Sequence, residues 1–121
     1  MNSNELMKQS LIACDDKRAE DIIAIDMQGI SDVADYFVVC HGNSDKQVQA
    51  IARNVKDEAE INEVNVKRLE GFNEARWILI DLGNVVVHVF HREERDYYNL
   101  EYYICHFLDG KTSKSSEADC S

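Results

Sequence analysis

The chain has no proline, five glycines and a single tryptophan in 121 residues. Without proline, no proline-rich linker divides it, and no internal repeat marks it as an array. Its length suits one domain with a single core. No apolar run approaches the roughly 20 residues that span a bilayer, so no membrane anchor is expected. The opening stretch, MNSNELMKQS, lacks a basic segment followed by an apolar one, and no secretory signal is expected there. It carries Glu5 and no arginine, unlike a transit peptide. No two cysteines are spaced as CxxC: Cys14, Cys40, Cys105 and Cys120 stand far apart. Cys40 and Cys105 sit in apolar or aromatic runs, which suit small buried hydrophobes better than disulfides or zinc ligands. A reducing cytoplasm is the expected location.

Positive charge is scarce. Thirteen basic side chains face 23 acidic ones, for a formal net charge of -10. Nucleic acid demands a basic footprint, so direct sequence-specific binding to it is not expected. The same charge suits a basic protein partner and steers encounter with it, although solubility alone would account for it. Hydrophobic residues make up 45% of the chain, enough for a packed core.

Helical spacing of Leu6, Met7, Leu11 and Cys14 predicts a helix over 4–17. The β-branched run DIIAIDM predicts a strand over 21–27. The apolar run DYFVVCHG predicts a central strand over 35–42, covered on both faces. Ser44 and Gln47 form a capping box ahead of Val48, Ile51, Ala52, Val55 and Ala59, which predicts a helix over 45–61. VNVKRLEG (64–71) alternates as a half-exposed strand would. RWILIDL (76–82) and VVVHVF (85–90) are joined by Gly83-Asn84, a two-residue hairpin signal. A last helix is expected over about 92–107, with Tyr97, Leu100, Ile104 and Phe107 on one face. The polar tail 109–121 is expected to be disordered, leaving one domain over 1–108. The order α-β-β-α-β-β-β-α gives an α+β fold, a mixed five-stranded sheet with flanking helices.

Four features could carry function. In VVVHVFHREERD, His88 and His91 invite a metal or acid/base reading. Strand alternation instead aims them at opposite faces, so no metal is expected, and His88 reads as a half-buried polar residue with a hydrogen-bond partner. HGNSDKQ (41–47) runs from a strand into a helix N-terminus, a geometry that can hold phosphate. It has only Gly42 and neither GxGxxG nor GxxxxGK. A strand, a Gly-x-Ser turn and a helix also open the nucleotidyltransferase fold, whose chemistry needs a D-x-D pair on the next strand to hold Mg²⁺. Here that strand offers Glu70 alone, with Lys67 and Arg68 where acids would stand. Trp77 is either core or a surface anchor with Phe72 and Leu82 near it. Since 77 and 82 differ by five, that patch requires Leu82 to leave the strand ladder at the turn. The cluster Tyr97, Tyr98, Tyr102 and Tyr103 gives two adjacent helical stripes, one expected in the core and the other either a dimer surface or a solvated edge.

The motifs A-D-Y-F-V-V-x-x-G-N-S (34–44), R-W-I-L-I-D-L-G (76–83), V-V-V-H-V-F-H (85–91) and R-D-Y-Y-N-L-E (95–101) together closely resemble the ribosomal silencing factor family, RsfS or Iojap-like. The resemblance runs over about residues 6–104. Cys40-His41 departs from it slightly, where relatives often carry Cys-Ser or Cys-Thr. The resemblance implies a nucleotidyltransferase-like fold without the catalytic acids, a homodimer when free, and neither cofactor nor enzymatic activity. It implies binding to the large ribosomal subunit through ribosomal protein uL-fourteen, which would block subunit joining and lower translation when nutrients run short. The family's contact surface maps here onto Glu70, Gly71, Trp77, Asp81, Leu82 and Gly83. The competing expectation is a nucleotide-binding or nucleotidyltransferase enzyme on the same fold.

Overall fold

A computed structural model describes residues 1–32 and 34–94. The elements are α1 (Ser3–Asp16), β1 (Glu20–Asp26), β2 (Tyr36–Gly42), α2 (Asp45–Ile61), β3 (Arg68–Glu70), β4 (Trp77–Asp81) and β5 (Val85–His91). The five strands form one sheet in the order β1-β2-β5-β4-β3. β2 and β5 pair in parallel at its centre, and the other three pairings are antiparallel. This is the mixed five-stranded sheet with flanking helices that the element order predicts.

Alternation along the strands sorts side chains between two apolar clusters. Val38 and Cys40 of β2, Ile78 and Ile80 of β4, and Val85, Val87 and Val89 of β5 join Leu6, Ala13 and Cys14 of α1 and Val48, Ile51, Ala52 and Val55 of α2. The opposite parity places Ile23, Ile25, Met27, Val39 and Phe90 in a second cluster, with Ile30 and Phe37 against it. Every residue of β5 is therefore buried. A strand buried on both faces must be apolar throughout, and the VVVHVF run meets that demand except at His88.

Local chemistry sets where the helices start. Asn2 and Glu5 form a reciprocal capping box on α1 that sequence reading did not identify. At α2 the box is only half made. Ser44 accepts from the Gln47 backbone N–H at 3.1 Å, but the Gln47 side chain accepts from Asn43 N–H at 2.7 Å, one residue before the cap. The Gln47 amide also donates to the carbonyls of Lys17 and Arg18, tying the end of α1 to the start of α2.

β3 is shorter than the expected 64–71 and wholly exposed. Val64 N–H still bonds to Ala59 O as part of the α2 terminus, so the ladder begins only near Lys67, whose N–H donates to Asp81 O. The Gly83-Asn84 turn is closed by Leu82 N–H donating to Val85 O at 2.9 Å, with Gly83 at φ +96°. Residues 92–94 are helical as expected. The rest of the expected helix, its tyrosines and the tail 109–121 lie outside the described residues.

Leu82 sits at the turn but keeps strand parity. Its side chain follows Ile78 and Ile80 into the helix-side core and is only 4% exposed. It does not join Trp77 on the surface, because five residues of a pleated strand put the two on opposite faces. Leu82→Ala is expected to behave as a core truncation, costing about 2–5 kcal/mol in urea unfolding.

Candidate functional site

On the face of β4 turned away from the helices stand Trp77, Leu79 and Asp81. Neighbouring β3 sets Glu70 opposite Leu79 and Arg68 opposite Asp81. Glu70, Gly71, Trp77 and Leu79 line an open depression of ≈ 270 Å³. Gly71 is required at its rim. It adopts φ +79°, and a Cβ there would collide with the Trp77 carbonyl oxygen. The connection from Gly71 back to β4 is a tight turn in which Ala75 N–H donates to Gly71 O at 3.0 Å. Below the depression Arg68 lies between two carboxylates, 3.2 Å from Glu70 and 3.5 Å from Asp81. Asp81 also accepts from Gly83 N–H at 2.9 Å, which links the acidic row to the hairpin turn.

Trp77 is 41% exposed, an unusual setting for the chain's one tryptophan. Its ring stacks on Phe90, its register partner on β5, at 5.2 Å and 27°. Its indole Nε1–H donates to His88 Nδ1 at 3.1 Å. His88 packs in turn against Phe37, with ring centroids 4.9 Å apart. Burial lowers the His88 pKa from the ordinary 6.5 to about 4, so the ring is neutral at pH 7. With Nδ1 accepting, the proton sits on Nε2. That atom is buried without a partner among the described residues.

The loop from β2 into α2 offers less to a ligand. Asn43 N–H is held by the Gln47 side chain, Gln47 N–H by Ser44 Oγ, and Val48 N–H by Ser44 O. Two helix-terminal donors, Asn43 N–H and Gln47 N–H, are thereby committed within the chain rather than left for a phosphate. Gly42 has close neighbours: a Cβ there would come within 3.2 Å of Gln47 and Val48.

A family model described as "Ribosomal silencing factor during starvation" matches residues 1–117. The Bacillus subtilis protein named Ribosomal silencing factor RsfS is 68% identical over 101 residues, covering 84% of this chain and 86% of that protein. A crystal structure from Bacillus halodurans, 56% identical, superposes with a TM-score of 0.77 over 83% of this chain and 93% of that one. Another, of a Chromobacterium violaceum protein 33% identical, reaches 0.83 over 85% and 86%. The chain belongs to the ribosomal silencing factor family.

Of the residues that the sequence assigned to a contact surface in this silencing-factor chain, the fold gathers Glu70, Gly71, Trp77 and Asp81 on one face, with Gly83 at its end. Leu82 is turned into the core. Phe72 is separated from Trp77 as well: its ring lies under the Arg53 guanidinium at 5.2 Å, packed against the helix-side core. Leu79 was not foreseen, although period-two alternation from Trp77 points to it. His88 is buried rather than half-buried, with Trp77 as its hydrogen-bond partner. His91, of opposite parity, lies 3.6 Å from Asp45 and accepts from Glu93 N–H. Among the described residues, no group of three or more His, Cys, Asp and Glu could hold a metal ion. Cys14 and Cys40 are free and buried. Hydrogen bonding to Cys40, then burial, pushes the Cys14 thiol well up. Cys105 and Cys120 lie outside the described residues. No helix among the described residues is long and apolar enough to cross a membrane.

The buried imidazole makes stability depend on pH. The His88 pKa is lower folded than unfolded, so its neutral form favours the fold: the contribution is full above 6.5 and is lost as pH falls toward 4. The gap between 6.5 and about 4 amounts to roughly 3 kcal/mol. Urea unfolding at pH 7 and pH 4.5 should show a loss that His88→Phe reduces. An equal loss in the variant would assign the acid sensitivity to other groups.

Proposed function

We propose that this chain is a translation repressor that binds the large ribosomal subunit through ribosomal protein uL-fourteen and blocks subunit joining. Membership in a family named for ribosomal silencing supports a regulatory rather than a catalytic role. The contact face is built from Glu70, Gly71, Trp77, Leu79 and Asp81, with Gly83 shaping its edge and Leu82 supporting the turn from beneath. The observation that carries this reading is Trp77: a large aromatic, 41% exposed, fixed by a stack and a hydrogen bond beside an open depression. Fixed aromatics flanked by charged rims are the usual anchors of protein interfaces.

The action is steric. A domain seated on the subunit's joining face keeps the other subunit away without making or breaking a bond, so neither cofactor nor metal enters. The net charge of -10 favours encounter with a basic ribosomal protein over bare RNA. Such a factor works in the cytoplasm. The family resemblance also leads us to expect a homodimer when free, which sedimentation equilibrium of the isolated protein checks.

Trp77→Ala is expected to weaken co-sedimentation with isolated large subunits by at least about 2 kcal/mol, the range of interface hot spots. Its folding stability should fall by less than the roughly 3–5 kcal/mol of an emptied core tryptophan site. Unchanged binding per folded molecule would remove this face from the interaction.

A further inference from the structure

β5 is apolar at every position from Val85 to Phe90 except one. At His88 the strand buries an imidazole whose Nε2 has no partner among the described residues. That is unfavourable, because a buried polar atom gives up its water and receives nothing in return. A phenyl ring of similar size would pack between Phe37 and Phe90 without that cost. What it could not do is accept the indole N–H of Trp77. Trp77 pairs in register with Phe90 and reaches diagonally to His88, the partner of Leu79. Stacking on Phe90 alone would leave the indole free to turn about its broad second side-chain torsion. The single bond to Nδ1 selects one orientation.

We infer that His88 is a positioning residue, holding the Trp77 indole through Nδ1 in the orientation that the contact face presents to its partner. The inference rests on the contact face proposed above. An anchor ordered before binding loses less side-chain entropy when the complex forms, so His88 acts on affinity without touching the partner.

The free protein gives the first test. Nitrogen NMR at pH 7 is expected to show Nδ1 as the lone-pair nitrogen of His88 and Nε2 as the protonated one; a protonated Nδ1 overturns the inference whatever the variants do. The second test compares His88→Phe, which fills the space without an acceptor, with His88→Asn, whose side-chain oxygen can stand near Nδ1. With one tryptophan in the chain, the indole N–H signal is unambiguous. Its exchange with solvent should be about tenfold faster in His88→Phe and close to wild type in His88→Asn. Large-subunit co-sedimentation should weaken about tenfold in the first variant and recover in the second. An indole equally protected in His88→Phe, or binding equally lost in both variants while the indole of His88→Asn stays protected, overturns the inference. If Trp77→Ala binds subunits like wild type, the contact face fails by itself, and the tautomer and the exchange rates still decide whether His88 orients the indole.

Discussion

The parallel pairing of β2 with β5 is the constraint on which the rest of the structure depends. It places two strands at the sheet's centre, with neighbours on both edges and apolar clusters on both faces. Parallel pairing needs a long crossover, and here α2, the exposed β3 and β4 supply it. Because β5 is buried throughout, its side chains cannot take part in recognition directly. They can only set the position of what lies beside them. Phe90 and His88 do so for Trp77, one strand nearer the edge.

The proposed contact face is consequently a feature of a sheet margin, not of a cleft. β4 turns Ile78 and Ile80 into the core and presents Trp77, Leu79 and Asp81 on its other side. β3 beside it is three residues long and carries charge at two of them, Arg68 and Glu70. A short, charged edge strand discourages indiscriminate pairing with other chains. In the proposed contact, recognition falls to side chains on the sheet's face: an ordered aromatic, an aliphatic neighbour and an acidic row tied together by Arg68 and the Gly83 turn. Such a surface matches a protein patch better than a small molecule, since it offers area and charge but little enclosure.

The β2–α2 loop uses its polar groups to join α1, β2 and α2. The Gln47 side chain accepts from Asn43 N–H and at once tethers the end of α1 through the Lys17 and Arg18 carbonyls. On β3, Glu70 is the only acid.

Chain-local signals determined the order of elements through β5, the α2 boundaries, the Gly83-Asn84 hairpin and the opposed faces of His88 and His91: apolar spacing of 3.6 or 2 residues, the Ser44 cap and a two-residue turn. The motifs carried the family. Spacing could not fix the length of β3, since the carbonyl of Ala59 competes for Val64 N–H. Nor could it decide whether Trp77 was core or surface: a strand's parity names two faces without saying how deeply each is covered. Phe72 shows the same limit, an apolar residue near Trp77 in sequence and turned away from it in space. The bond between Trp77 and His88 was least legible of all. It joins residues eleven apart through a register that only the paired strands define, and it gives the buried histidine a hydrogen-bond donor.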